Sequence, residues 1–421
     1  MLHRTCRSFA GALSLVCLLA VFGGMGMVTE ARGAKDLNID IEDIPSLAGK
    51  LSPQVRLAAL GITNVDAERR LALIGSNPAV AYDHEESDAQ REWQLTLRKR
   101  FERPLTRGKL QQAWDGRVRA AELHSEQTAR DVVADLKAGY AELQLLETHL
   151  GRLQELNDLV ELAADVAATR HAEGEISGLD RRLIRLTAYT VETAASQSRR
   201  RHVQALATWR SDLGLDPAQE LILTTPIRFR PVDLEGLRLD TTLPGDRARQ
   251  EMARALASQA SAAQPGLLPG LDVYAGYKRF DPDLDGFVAG VALDLPLLDN
   301  GGAEAARLRA QRRLVEGSLT MERSRRREEI IALTSALKVV QPLLARYAAE
   351  IETESLPEAL LVSYREGAIS LDDLLGAIQI ETAALDANLA DLTAYFQNIF
   401  RLEALTGAGL IDFAHREDGN E

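Results

Sequence analysis

Between residues 106 and 172 the chain contains no proline. Over that stretch Leu143, Leu146, Leu150, Leu153, Asn157, Val160, Ala164 and Ala167 step alternately by three and four residues. A sustained three-four step is the seam of a coiled coil, because it keeps one apolar stripe facing a partner helix. One helix over this span would be about 100 Å long at 1.5 Å per residue, several times the usual length. A second seam follows through Ile330, Leu333, Leu337, Val340, Leu344, Tyr347 and Ile351. Its helix, expected over 302–366, carries Pro342 and Pro357 and should bend. The composition agrees: 46% of residues are hydrophobic but only 5% aromatic, with 14 prolines in 421 residues, which favours long helices over a β-rich enzyme.

The two helices belong to an internal repeat. Glu173-Gly174-Glu175-Ile176-Ser177-Gly178-Leu179-Asp180 aligns with Glu366-Gly367-Ala368-Ile369-Ser370-Leu371-Asp372-Asp373, 193 positions on, and Gly214 falls on Gly407 at the same offset. Gly174 and Gly367 suit the left-handed position that ends a helix. Ser177 and Ser370 suit the N-cap of the next helix, and Asp180 and Asp373, three residues later, complete capping-box pairs. Each copy therefore reads as a long helix, a tight turn and a returning helix, the latter over 177–213 and 370–406.

Ahead of each hairpin the period changes to two. Leu271, Val273, Ala275 and Tyr277 alternate with Asp272, Tyr274, Gly276 and Lys278. After the turn-like run 281–286, Phe287, Ala289, Val291, Leu293 and Leu295 alternate with Val288, Gly290, Ala292 and Asp294. The first copy is weaker: Val80 and Tyr82 precede a short polar turn, and Trp93, Leu95, Leu97 and Phe101 follow with Lys99 interrupting the apolar face. Strands of about nine to eleven residues with one apolar face have the length of tilted membrane strands, although a soluble hairpin has the same pattern. Four strands cannot close a membrane barrel, whose smallest form has eight, so such a barrel must be shared between subunits.

The first 34 residues differ in kind. Arg4 and Arg7 precede an apolar run over 10–28 that ends at small residues, as in a secretory signal peptide; uncleaved, the run is about long enough to span a bilayer. The 2 cysteines, Cys6 and Cys17, both lie within it, and Val16 before Cys17 does not suit lipoprotein cleavage. A chain cleaved there has no disulfide, thiolate metal site or thiol nucleophile.

Taken together, these features resemble the TolC-like outer-membrane efflux proteins. The likeness is carried by Asn77-Pro78 before the first strand, Leu268-Pro269-Gly270-Leu271 before the third, the run Asp294-Leu295-Pro296-Leu297-Leu298-Asp299-Asn300-Gly301-Gly302 entering a helix, and Tyr364-Arg365-Glu366-Gly367 with Asp373-Leu374-Leu375 at the second tip. The resemblance implies a mainly α fold with a small β part: coiled-coil hairpins forming an α-barrel, and four strands per chain entering a transmembrane β-barrel shared by a homotrimer. It implies contact with outer-membrane lipid, and docking through Gly174, Ile176, Ser177, Gly367, Ile369 and Ser370 to a periplasmic adaptor and an inner-membrane pump, expected to be of the resistance-nodulation-division type. It makes Tyr364, Asp372 and Asp373 candidates for a periplasmic aperture. Ile369 stands where the family's aperture arginine is expected and Gly376 where a second acid is expected, so the closing network departs from the pattern. The organisation that follows is a signal peptide at 1–34, repeats at 35–221 and 266–409, an equatorial segment at 222–265 and a tail at 410–421.

Other chemistries find little support. The formal charge is -13, from 49 Lys and Arg against 62 Asp and Glu, which disfavours nucleic-acid binding. The 7 histidines lack metal-site spacing, and His171, before the first turn, suits a bond to a carbonyl. Neither cofactor nor metal is expected, and the carboxylates lie on helix surfaces rather than in catalytic pairs. The runs Arg199-Arg200-Arg201 and Arg325-Arg326-Arg327 read as solvated faces paired to nearby acids, with polyanion binding as the other reading. A soluble or surface-attached periplasmic coiled-coil structural protein, with strand pairs capping its hairpins, is the alternative to the channel.

Overall fold

The computed structural model describes residues 37–86, 91–101, 106–239, 241–263, 270–280, 284–293, 301–351, 356–411 and 413. The expected signal peptide, Leu295 and most of the run 294–302 lie outside them. In chain order the elements are β1 (Leu37–Ile39), α1 (Ile44–Leu51), α2 (Pro53–Leu73), β2 (Ala79–Glu86), β3 (Arg91–Phe101), α3 (Arg107–Ala172), α4 (Gly178–Leu213), β4 (Leu221–Leu223), α5 (Pro244–Ala263), β5 (Leu271–Phe280), β6 (Leu284–Leu293), α6 (Gly302–Ile351), α7 (Leu356–Arg365) and α8 (Leu371–Thr406).

The long helix α3 organises the rest. Its first part packs against α2 and α5, and its second against α4 and α8; α6 packs against α5 and α8. The seam residues Leu143, Leu146, Leu153, Val160 and Ala167 are buried as expected. A second stripe, Leu145, His149, Leu156, Leu159 and Ala163, is buried too. A seam of one three-four step covers a single partner helix. Here α3 lies against both α4 and α8, so its buried face is twice as wide. Asn157 spans the edge of the seam and donates to Glu161, 3.1 Å away.

Between tips and strands the interhelical core is joined by an extended segment that the periodicity did not reveal. β1 pairs in parallel with β4, Leu37 to Leu221 and Ile39 to Leu223. Tyr140 of α3 fastens this ribbon, its hydroxyl accepting from the Thr225 amide at 2.8 Å and lying 3.3 Å from the Ile39 carbonyl. Burial pushes the Tyr140 phenol above its ordinary pKa. Trp209 of α4 donates its indole N–H to the Leu136 carbonyl at 2.8 Å.

Several boundaries differ from expectation. The second long helix is two helices, α6 containing Pro342, and α7 with Pro357 as its second residue, where a missing N–H is costless. β2 runs through Glu86 instead of turning after Tyr82, because residues 83–86 pair with 91–94 of β3. β6 starts at Leu284, inside the expected turn, because Leu284 pairs with Phe280 and Asp285 with Arg279. Lys99 does not break β3; its ammonium donates to the Ser76 carbonyl beyond the strand. Arg326 is not solvated, but buried against Asp246 of α5.

Close approach of α3 and α4 depends on Gly139. A Cβ there would lie 2.7 Å from Trp209 Cδ1. Gly139→Val should therefore displace the indole from Leu136 and cost about 1 to 3 kcal/mol. A lowered denaturation midpoint with a shifted tryptophan emission is the expected result.

Candidate functional site

Two regions carry chemistry beyond packing: the sheet at one end of the helices and the hairpin turns at the other. The sheet order is β2-β3-β5-β6, antiparallel throughout. Its register places Tyr82 beside Leu95, Leu95 beside Tyr277, and Tyr277 beside Phe287; Lys99 meets Val273, and Val273 meets Val291. Because side chains alternate, this alignment gathers the apolar residues of all four strands on one face. Gln94, Thr96, Arg98, Asp272 and Lys278 share the other. On that second face Lys278 pairs with Glu92, and the Arg98 guanidinium stands 6.0 Å from the Tyr274 ring centroid.

The apolar face is uncovered. Phe287 is 91% exposed and Val80, Tyr82, Leu97, Val291 and Leu293 are also exposed. Such a contiguous patch marks a surface made for a partner or for lipid. One rim of it is aromatic: Tyr82–Trp93, Trp93–Tyr277 and Tyr277–Phe287 have ring centroids 6.4, 5.6 and 5.8 Å apart. Aromatic girdles at the interfaces and an apolar band of about 25 Å are the features of membrane strands. Ten residues rise about 33 Å, which a tilt near 40° reduces to about that height. Among the described residues β2 and β6 each have one neighbour, so their outer backbone groups form open edges.

At the other end the two turns are nearly the same structure. Gly174 has φ 81° and Gly367 φ 74°. The Glu175 amide donates to the Arg170 carbonyl and the Ala368 amide to the Ser363 carbonyl, both at 2.8 Å, the long bond of a Schellman motif. Ser177 and Ser370 then accept from Asp180 and Asp373 amides at 3.2 Å, and each aspartate accepts back from its serine amide. These bonds hold the Asp373 carboxyl below its ordinary pKa, the serine hydroxyl contributing most. Asp372 is exposed in the first turn of α8 and has no hydrogen bond or ion pair with another described residue. Ile176 and Ile369 pack half-buried onto an apolar cluster of Leu156, Leu159, Ile184, Leu374 and Ile378. Gly174, Ser177, Gly367 and Ser370 are exposed around them.

Tyr364 lies inside that cluster, 1% exposed, with its hydroxyl unpartnered. An arginine of the first hairpin reaches the second. Arg170 places its guanidinium 5.0 Å from the Tyr364 ring centroid and donates to the Tyr364 and Arg365 carbonyls at 3.3 and 3.2 Å. It thereby caps α7 and ties the two tips together. The repeat held the signal: His171 and Tyr364 occupy the same place in their Schellman turns, so Arg170 is next to the counterpart of Tyr364. His171 itself donates from Nδ1 to the Ile176 carbonyl at 3.0 Å. Among the described residues no cluster of three or more His, Cys, Asp or Glu is placed to hold a metal.

No family model and no curated protein matches the sequence. Solved structures do match. The CmeC outer membrane channel of Campylobacter jejuni superposes with a TM-score of 0.71 at 14% identity, over 89% of this chain and 87% of that one. A membrane protein from Pseudomonas aeruginosa gives 0.71 at 17% identity, over 87% and 92%. The outer membrane protein VceC of Vibrio cholerae gives 0.64 at 18% identity, over 87% and 93%. The chain has the fold of these membrane proteins, the TolC-like fold expected from the sequence.

The left-handed turns permit a direct check. Gly367→Ala should strain the second turn by about 1 to 2 kcal/mol. Exchange of the Gly367 and Ala368 amides should quicken roughly five- to thirty-fold, the same energy expressed as an opening equilibrium. Unchanged protection would show that the turn tolerates a side chain at this position.

Proposed function

We propose that the chain is one subunit of a homotrimeric outer-membrane channel that passively conducts export substrates across the periplasm and outer membrane. The observation that carries this reading is the four-stranded sheet, apolar on one continuous face, aromatic at one rim and open at both edges. A soluble coiled-coil protein would leave that face in water, which disfavours the alternative. Three copies supply about twelve strands, enough to close a barrel with the apolar face toward lipid and the face bearing Arg98 and Lys278 toward the lumen. The fold shared with outer membrane channels of Campylobacter jejuni and Neisseria gonorrhoeae supports the same assignment. No catalytic step is required of any residue.

In this reading the tips lie at the periplasmic end of the tunnel and meet an adaptor, through which an inner-membrane pump of the resistance-nodulation-division type delivers substrate. Gly174, Ile176, Ser177, Gly367, Ile369 and Ser370 form the docking surface. Tyr364, Asp372 and Asp373 belong to the aperture in different ways. Tyr364 is a buried post clamped by Arg170, and Asp373 secures the start of α8. Asp372, exposed and unpaired, is the carboxylate best placed to face permeating ions.

Carbonate washing should leave the protein with the outer membrane, and mild detergent should release it as a trimer; recovery as a soluble monomer would overturn the assignment. Within the wall, Val291→Arg places a charge on the lipid face and should cost about 2 to 4 kcal/mol per subunit near the midplane. Ala292→Arg, on the lumen face, should assemble normally. Equal membrane assembly of both variants would reverse or remove the facing. Around the aperture, Asp372→Asn with Asp373→Asn removes about six carboxylates from a trimer. Since like charges at a constriction attract counter-ions, the double variant should lower cation preference in planar bilayers. Unaltered selectivity would place both carboxylates off the conduction path.

A further inference from the structure

The helix α2 has two seams. Val55, Ala58, Ile62, Val65, Arg69 and Ala72 step alternately by three and four residues, are buried or half-buried, and belong to the side packed on α3. Two positions further on, Leu57, Leu60, Asn64, Ala67, Leu71 and Ile74 repeat the step, and all six are exposed, Leu71 by 74%. A sustained three-four step is built to meet another helix, and a polar residue such as Asn64 at one seam position fixes the register. The helix α6 shows the same doubling. Leu308 is buried with Leu256 and Ala260 of α5, whereas Arg307, Ala310, Leu314, Gly317, Met321 and Ser324 keep a three-four step on an exposed face.

At the sheet end these two helices are the flanks of the layer. Contacts run from α2 to α3, from α3 to α5 and from α5 to α6. The sheet has the same order, since α2 precedes β2, β3 precedes α3, α5 precedes β5 and β6 precedes α6. Each exposed seam therefore stands on the side of one open sheet edge, α2 by β2 and α6 by β6.

Contacts inside the chain set the relative heights. Arg69 pairs with Asp115 at 2.8 Å and Arg107 donates to the Leu73 carbonyl at 3.4 Å, which brackets Leu71 between residues 109 and 113 of α3. A Cβ on Gly116 would lie 3.2 Å from that of Ala255, and Asp246 holds Arg326 at 2.5 Å. Counting along these antiparallel helices brings Leu71 within about one turn of the level of Ala310.

We infer that the exposed seam of α2 pairs antiparallel with the exposed seam of α6 from a second copy of the chain, Leu71 opposite Ala310. The inference rests on the channel reading, whose symmetry axis along the helices keeps equivalent residues of all copies at one height. In that register the two seams match position for position. Leu71 meets Ala310 of the second copy, Ala67 meets its Leu314, Asn64 its Gly317 and Leu57 its Ser324, a larger side chain against a smaller one each time. Complementary sizes let the helices approach closely, as knobs in holes require.

The test places cysteines across the seam in the full chain carrying Cys6→Ala and Cys17→Ala. On mild oxidation in detergent, Leu71→Cys with Ala310→Cys should give dimers and trimers that survive denaturation. The yield should be at least tenfold that of Leu71→Cys with Ser324→Cys, which is about 21 Å out of register. Ala67→Cys with Leu314→Cys is a second in-register pair should the first not fold. A side chain at Gly317 meets nothing within 4 Å in the single chain, so Gly317→Leu should leave the chain folded and lower in-register cross-linking at least fivefold. Oligomer size is measured on the same material before oxidation. A trimer that yields no cross-link from either in-register pair overturns the seam, leaves the face to a different protein, and lets the channel reading stand. Equal cross-linking of the off-register pair overturns the register. Cross-linked oligomers of a protein that carbonate washes from the membrane uphold the seam and overturn the channel. A monomer without cross-links overturns both.

Discussion

A four-stranded antiparallel sheet with an apolar face cannot finish itself. Its edge strands β2 and β6 keep unpaired backbone groups, and Phe287 and Val291 stand in solvent in the isolated chain. Each unpaired group at membrane depth would cost several kcal/mol, so only a closed sheet is admissible there. In the proposed trimer, closure by further copies would satisfy the edges and the face together. The helices would follow: strands joined to a helix about 100 Å long would impose the same symmetry on the helical layer. The width of the buried face of α3, which serves two partners at once, is how one chain begins that layer.

The tips have a different economy. Both turns are built from the same few residues because a reversal between antiparallel helices must satisfy the last carbonyls of one helix and the first amides of the next. Glycine at positive φ and the serine-aspartate box do this locally, without help from the remainder of the fold. What joins one tip to the other is non-local: Arg170, from the first hairpin, lies over Tyr364 and caps α7 in the second.

Arginines in this acidic chain meet different physical surroundings, three of which are instructive. Arg307 and Arg312 make exposed pairs with acids one turn away on the same helix, interactions worth a few tenths of a kcal/mol. Arg170 serves as a clamp through backbone carbonyls and a ring face. Arg326 is buried and oriented by a buried carboxylate, an arrangement that stability alone does not require. Runs of consecutive arginines look identical in composition, and the neighbouring helix decides which class each one joins.

Helix existence, hairpin turns and strand periodicity were legible because each is dictated by short-range physics: a three-four step, a glycine and capping box, an alternation of two. For the same reason the repeat exposed the equivalence of Gly174 with Gly367 and of Asp180 with Asp373. The β1–β4 ribbon was not legible, since three-residue strands carry no period and depend on Tyr140 to hold them. Nor were the second buried stripe of α3, the extension of β2 and β6 through polar residues, the Arg170–Tyr364 clamp, or the Asp246–Arg326 pair. The clamp and the ion pair join residues 194 and 80 positions apart, in a register that only packing selects. Local spacing determined which elements this chain makes and where they turn; the tertiary structure decided which side chains meet, because burial and pairing are properties of neighbours brought together by the fold.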